Sequence, residues 1–361
     1  MHPSVRCLSA TISHSRNGPL TLGFIGLGAM GRHMAWNLYL KTLLAQQGPP
    51  PSQEPEPIML LCDANEDGAK KFMNDCMEAK ATENVLGGRM EFMESPRALA
   101  ERANVIFTAL PSSPEVKSVY LGEKGILAGL NREKDQLCVD ATTLDVSVAR
   151  DVSNTVREAG AEMVDAPMSG GIVGAKAGTL SFMVGGTEAA FNLAEPYLSK
   201  MGSRVIHCGA SGMGLAAKIS NNLVLGINQI AIAEGLLLGT SLGLEPALLT
   251  DIINRSTGRS WPSTVNNPIP GALKPPASPP CERGYEGGFA SKLMLKDMSL
   301  AIHAAEDTGV PLPLGSKATD EYSNVVQDNE LARKDFSVVY EYLRQRMTAS
   351  RAGTSEKADL E

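Results

Sequence analysis

The sequence contains no C-x-x-C pair, no group of closely spaced histidines and no run of basic residues. Its six cysteines (Cys7, Cys62, Cys76, Cys138, Cys208 and Cys281) are scattered, a pattern of reduced thiols in a reducing compartment rather than of a disulfide framework. The five histidines are equally dispersed, so no metal site is expected; His207, ending a predicted strand, reads as structural. A net charge of −7 without a basic patch speaks against a nucleic-acid partner. One apolar stretch, 223–238, raises a membrane question, but Asn228, Gln229 and Glu234 interrupt it and favour a protein interior over a membrane. No internal repeat is visible. Acids are missing from residues 1–18, which carry Arg6, Arg16 and several Ser and Thr. That composition is expected of a transit segment leading to the mitochondrial matrix; a disordered terminus that happens to lack acids is the competing reading.

What is present is enough for two domains with proper cores, since the chain has 361 residues, 43% of them hydrophobic and 20% charged, as in a soluble enzyme. An apolar run at 20–25 leads at once into Gly26-Leu27-Gly28-Ala29-Met30-Gly31, and residues 30–44 then follow an amphipathic helical pattern. A G-x-G-x-x-G between strand and helix is a dinucleotide cradle. The first glycine permits the tight turn, the second lets the pyrophosphate approach the backbone, and the third lets helix and strand pack closely. The helix N-terminus faces the phosphates. A second strand, 58–62, ends at Asp63, whose carboxylate would bond the adenosine ribose and repel a 2′-phosphate, selecting NAD over NADP. It would also serve as a cap for the helix that follows. From Gly31 to Asp63 the gap is 32 residues (63 − 31) against the usual ~20. The Pro-rich stretch 46–57, a solvent loop that cannot be helix or central strand, accounts for the excess.

Further buried-type strands are predicted at 105–109, 137–140 and 163–165. They end respectively in Leu110-Pro111-Ser112-Ser113-Pro114, in Ala141-Thr142-Thr143 and in Ala166-Pro167-Met168-Ser169-Gly170-Gly171. Ligands of doubly wound sheets lie at such carboxyl ends. The hydroxyl and glycine N–H groups of Ser169, Gly170 and Gly171 suit a small carboxylate, although a plain tight turn would read the same. Strands at 179–184 and 204–208 close a first domain spanning 19–208. Residues 212–243 then form one long helix, on the order of 40–50 Å at 1.5 Å per residue, apolar on all sides and therefore expected to be buried. At its start Lys218 and Asn222 share a face, four residues apart. The rest, 209–347, reads as helical: a helix starts at Pro246, a turn-rich loop covers 256–271, and a second Pro-rich insert covers 274–283. A helix at 289–307 carries Lys296 and Asp297, more helix covers 322–347, and 348–361 is a polar, frayed tail. The fold class is α/β, an N-terminal Rossmann-type doubly wound sheet joined by a long interdomain helix to an all-helical C-terminal domain.

Several separate motifs together resemble the β-hydroxyacid dehydrogenase family over roughly residues 20–347. GFIGLGAMGRHMAWNL is similar to its cofactor signature, DAPMSGG to its substrate loop, GMGLAAKISNN to its catalytic helix start, and FASKLMLKD to a later cofactor-contacting helix. STGRSWPSTVNNPIPG and GYEGGF resemble the hydroxyisobutyrate branch. The resemblance implies that Lys218 is the catalytic lysine and Asn222 an amide that positions substrate, with Ser169, Gly170 and Gly171 binding the carboxylate. It further implies that Leu110, Pro111, Thr143 and Lys296, with Phe289 and Asp297 in the same motif, contact the cofactor. Glu115 departs from the Asn of mitochondrial relatives and is not assigned as a contact. A homodimer or homotetramer is implied as well.

The implied reaction is NAD-dependent oxidation of 3-hydroxyisobutyrate to methylmalonate semialdehyde, a step of valine breakdown. A base must take the hydroxyl proton as hydride leaves carbon. No histidine stands where that base is needed, which leaves Lys218. Its free pKa near 10.4 would have to fall, through burial and the cationic nicotinamide. Alternatives within the family are another short 3-hydroxyacid dehydrogenase or a semialdehyde or glyoxylate reductase. A 6-phosphogluconate dehydrogenase is disfavoured because its K-x-x-H-N pattern has Asn221 here at the histidine position. A non-catalytic NAD-binding module, a different class, is disfavoured by the retained Lys218 and the acidic charge.

Overall fold

The structure, a computed structural model, describes residues 20–46, 58–82, 83–88 excepted, and 89–358. The expected transit segment and most of the first Pro-rich insert lie outside these residues. The chain divides into two compact units, Met1–Lys218 and Ile219–Glu361, so the boundary falls inside the long helix rather than ahead of it.

The first unit is built on nine strands: β1 Thr21–Ile25, β2 Ile58–Cys62, β3 Arg89–Phe92, β4 Val105–Thr108, β5 Leu137–Asp140, β6 Glu162–Asp165, β7 Met168–Ser169, β8 Leu180–Gly185 and β9 Gly202–Gly209. Their order is β3-β2-β1-β4-β5-β6-β8-β7, with β9 paired to β8. From β3 through β6 every pairing is parallel, while β8 runs antiparallel to β6 and β7. The order 3-2-1-4-5-6 is that of a dinucleotide-binding sheet, with its switch point between β1 and β4.

These strands read as continuous apolar runs because both faces are covered. Leu22, Phe24, Met59, Leu61, Val105, Phe107 and Val139 bury on one side with Met34, Leu38 and Ala194 from helices Gly31–Gln46 and Glu188–Leu198. Alternate residues Ile25, Leu60, Ile106, Cys138 and Met163 bury on the other side with Val116, Tyr120, Val152 and Val156 from helices Ser113–Leu121 and Val146–Glu158. Each Val, Leu, Ile, Phe or Met among them, fully buried, stabilises by about 1.5–3 kcal/mol relative to exposure. Strand β3 has no counterpart in the sequence expectations. It is an edge strand whose Arg89 and Glu91 face outward and join Arg102 in ion pairs, a charged edge that hides its β character.

In the second unit, Ile230, Ala233 and Leu236 of helix Met213–Ser241 pack with Met294, Met298, Tyr322, Phe336 and Val339. Those partners come from helices Ser291–Thr308, Pro313–Val325 and Val339–Ala358 and from a 3-10 turn, Phe336–Val338. The last helix continues to Ala358, through most of the stretch expected to fray. The long helix corrects a second expectation. It is not buried all round: Val224 and Leu238 are 57% and 65% exposed, while Leu215, Lys218, Asn222 and Gln229 face inward.

Candidate active site

The glycine-rich loop leaves β1 at the switch point. Gly26 has φ 94°, and a Cβ there would strike the Ala109 carbonyl beyond β4. A Cβ at Gly31 would strike the Gly26 carbonyl, whereas one at Gly28 would meet nothing within 4 Å. Two glycines are thus required by the protein's own packing, and the middle one leaves open space beside the backbone, as a pyrophosphate needs. Leu27, Ala29 and Met30 complete the turn, and helix Gly31–Gln46 begins directly behind it, presenting its positive dipole end.

Asp63, just past β2, accepts the Leu27 N–H on Oδ2 at 2.6 Å and the Asn65 N–H on Oδ1 at 2.8 Å. The carboxylate therefore braces the loop as well as capping its own turn. Each oxygen keeps a lone pair for a ribose hydroxyl, so both expected roles are compatible with the geometry.

The ends of β4 and β5 are tied together by a buried polar chain. Thr108 Oγ1 donates to Asp140 Oδ1 at 2.8 Å, and the Thr142 N–H bonds the same oxygen at 3.1 Å. Because Thr108 spends its only proton on Asp140, the Tyr120 hydroxyl at 3.0 Å must donate to it. Burial pushes the Asp140 carboxyl up to about 6, against the pull of these bonds. Thr142 Oγ1 in turn accepts the Leu110 N–H at 3.0 Å, fixing the backbone that carries Leu110 and Pro111; Thr143, the next residue along, is half-buried. Glu115 is exposed and takes a bond from Ser112 Oγ at 2.6 Å, which holds its carboxyl below the usual range.

The third loop follows β6. Ser169 closes β7, and Gly170 and Gly171 adopt φ 135° and 61°, values that side chains rarely reach. A Cβ at Gly171 would meet nothing within 4 Å, so space lies beside the loop. Lys218, 7% exposed, donates from Nζ to Ser169 Oγ at 3.0 Å. The two residues were expected to act together, and the fold joins them across 49 positions. Ser169 retains its own O–H to donate to a carboxylate.

In the second unit Asn222 is buried and donates from Nδ2 to Asp297 Oδ2 at 2.6 Å. Its Oδ1 accepts from Asn221 Nδ2 at 3.2 Å. Lys296 Nζ lies 3.3 Å from Asp297 Oδ1. Asp297 and Lys296 thus form one cluster with Asn222. Phe289 sits elsewhere: its N–H donates to Asp335 Oδ2 at 2.8 Å and its ring packs edge-on against Phe336. Asp335 also accepts from Asn266 Nδ2 and the Ser337 N–H, both at 3.0 Å. Asn267 bonds Thr250 and caps Ile269. The loop that resembled a branch-specific motif therefore spends both asparagines on the core of the second unit.

Asp140, Asp165 and Tyr120 were not singled out from the sequence. The available signal was an acid as the last residue of a predicted apolar strand, found at both 140 and 165. Among the described residues no group of three or more His, Cys, Asp or Glu side chains is placed to hold a metal ion.

Residues 61–209 match the model of the NAD binding domain of 6-phosphogluconate dehydrogenase. Residues 212–343 match that of the NAD-binding region of NADP-dependent 3-hydroxyisobutyrate dehydrogenase. A probable mitochondrial 3-hydroxyisobutyrate dehydrogenase of Dictyostelium discoideum is 41% identical over 91% of this chain and 92% of its own length. The mitochondrial 3-hydroxyisobutyrate dehydrogenase of Bos taurus is 39% identical over 96% and 93%. Among solved structures, the Mycobacterium tuberculosis 3-hydroxyisobutyrate dehydrogenase with L-serine superposes with a TM-score of 0.76 at 34% identity, covering 91% of this chain and all of that one. The names of the curated relatives agree with a mitochondrial location. With an NAD-binding sheet, a helical second unit and this degree of identity along nearly the whole chain, the protein is an oxidoreductase that belongs to the 3-hydroxyisobutyrate dehydrogenase family.

Proposed function

We propose that the protein oxidises 3-hydroxyisobutyrate to methylmalonate semialdehyde in the mitochondrial matrix, with Lys218 as general base. The observation that carries this reading is the buried Lys218 ammonium or amine 3.0 Å from Ser169 Oγ. A proton-handling group and a carboxylate-binding loop are thereby within one hydrogen bond of each other, the separation a short 3-hydroxy acid spans. Bound NAD supplies the hydride acceptor. Ser169, with the N–H groups of Gly170 and Gly171, holds the carboxylate and fixes the reacting carbon. Lys218 Nζ takes the hydroxyl proton as the carbonyl forms and returns it in the reverse direction. Asn222, held by Asp297, offers its remaining N–H one helical turn further on.

The first unit is the cofactor domain, corresponding to the expected 19–208, with Gly26, Gly28, Gly31, Leu110, Pro111 and Thr143 along the dinucleotide. Asp63 favours NAD because its carboxylate would face a 2′-phosphate. Lys296 and Asp297, clustered with Asn222 in the second unit, are assigned to cofactor contact. We assign that domain, 209–347, to substrate and to self-assembly into a dimer or tetramer. Val224, Leu238, Leu242 and Leu248 support assembly, standing out as exposed apolar groups.

A substrate panel with purified protein and NAD tests the proposal. 3-Hydroxyisobutyrate should outperform L-serine and 3-hydroxypropionate, and its methyl ester should not turn over. An ester that reacts as well as the acid would remove the carboxylate loop from the mechanism.

A further inference from the structure

We propose that Asp165 is the positioning residue of the proton-transfer pair, one carboxylate that fixes both the strand end leading to Ser169 and the helical turn carrying Lys218. The inference rests on the assignment of Lys218 as base. Asp165 is the last residue of β6, four positions before Ser169. Its Oδ1 accepts the Gly212 N–H at 2.7 Å and its Oδ2 the Leu215 N–H at 3.0 Å. Helix Met213–Ser241 begins between those two donors, so the carboxylate holds the first turn of the helix whose next turn bears Lys218.

Glycines keep this carboxylate enclosed. A Cβ at Gly185, which pairs with Asp165 across β6 and β8, would lie 2.7 Å from Oδ2. A Cβ at Gly214 would lie 2.9 Å from the same oxygen. Asp165 is left 3% exposed, and burial raises its pKa although the N–H bonds pull it down. A buried carboxylate is costly unless it does something a neutral side chain does not. Here two N–H donors from different residues each need an acceptor oxygen. An amide offers one oxygen and turns an NH2 toward the second donor. The negative charge also suits the positive end of a helix.

The consequence for the reaction is geometric. Sliding a helix by a single residue moves its side chains about 1.5 Å along the axis and turns them about 100°. A catalytic group displaced by roughly 1 Å can lose on the order of 10²-fold in rate. Asp165 acts through Lys218 and touches no reacting atom.

Asp165→Asn changes the acceptor count with almost no change in shape. It should lower kcat about 10- to 100-fold per folded molecule. Dissociation constants for NADH should stay within about twofold, because the dinucleotide loops are braced by other residues. Acylation of Lys218 by acetic anhydride, read by peptide mass spectrometry, should become faster as the ammonium group leaves Ser169. Gly185→Ala crowds the same carboxylate without removing it, since the atoms nearest its added Cβ all belong to Asp165, and should give the same kcat loss; it carries the test if Asp165→Asn does not fold. In a Lys218→Ala background Asp165→Asn should cost little further activity. If Lys218→Ala lowers kcat while both Asp165→Asn and Gly185→Ala only lower Tm, with kcat and Lys218 reactivity unchanged, Asp165 is a structural cap and the inference fails. If Lys218→Ala itself retains full kcat, the assignment of the base has failed instead.

Discussion

Replacing Asp140 by Asn should make the protein more stable at neutral pH, and the gain should grow with pH. Asp140 is 1% exposed, and its pKa rises from 3.8 to about 6 in the fold. At about 1.4 kcal/mol per unit, the ionised group costs on the order of 3 kcal/mol of stability once both folded and unfolded states are deprotonated. The sign follows from the raised value. Folding prefers the protonated acid, so its contribution is fully present below pH ~4, is lost as pH rises through ~6, and stays lost above ~7. The bonds from Thr108 Oγ1 and from the Thr142 N–H both go to Oδ1, an oxygen that Asn retains. Urea unfolding of the two proteins at pH 5 and pH 7.5 measures the effect. The Asn variant should lead by about 1.5 kcal/mol at the lower pH and about 3 kcal/mol at the higher. A difference that does not change with pH, or a variant less stable at pH 7.5, would refute burial as the cause of the shift.

Three other outcomes are expected. Lys218→Ala should lower kcat roughly 10²–10⁴-fold with NAD binding little changed, and Lys218→Arg should fail as well, since a guanidinium does not release a proton near neutral pH; near-normal turnover by the Arg variant leaves Lys218 as an anion clamp only. Asp63→Arg should narrow or reverse the preference for NAD in kcat/KM ratios, and Asp63→Asn, which can still accept the Leu27 N–H, should narrow it with a smaller loss of NAD turnover; an unmodified protein that uses both cofactors equally contradicts the assignment. Asp335→Ala leaves three N–H donors without their acceptor and should destabilise by about 3–5 kcal/mol, seen as a lower Tm without a changed cofactor preference.

The parallel strands were legible because strands covered on both faces are apolar throughout, and Ile58–Cys62 and Leu137–Asp140 begin and end where the sequence placed them. Strand β3 was not legible, since at an edge the alternation Arg-Met-Glu-Phe looks like surface. The long helix was read as buried all round because Val224 and Leu238 are as apolar as Ile230 and Leu236. Composition alone does not tell an unpaired outward stripe from a core. At the site, the glycine loop, Asp63 and Lys218 each had a local pattern that named them. Asp140 and Asp165 had only their place as the last acid of an apolar strand, because their partners are set by the fold: Asp165 finds the Gly212 N–H 47 residues away. Asn266 and Asn267 belong to a motif that marks the family branch, and their side chains serve packing.

The acids at the strand ends share one physical reason. Loops that must let a dinucleotide or a small carboxylate lie against their backbone are made of glycine and small residues, and such loops cannot hold their own shape through side chains. The bracing therefore comes from the adjoining element. Asp63 beyond β2 holds Leu27 beyond β1, Thr142 beyond β5, itself set by Asp140, holds Leu110 beyond β4, and Asp165 at the end of β6 holds the turn that presents Lys218. Two of these carboxylates are buried and have raised pKa values, a cost the fold would shed if packing were its only demand. Their concentration at the carboxyl ends of the sheet, where ligands of this architecture lie, is what a site built to hold open loops in fixed positions requires.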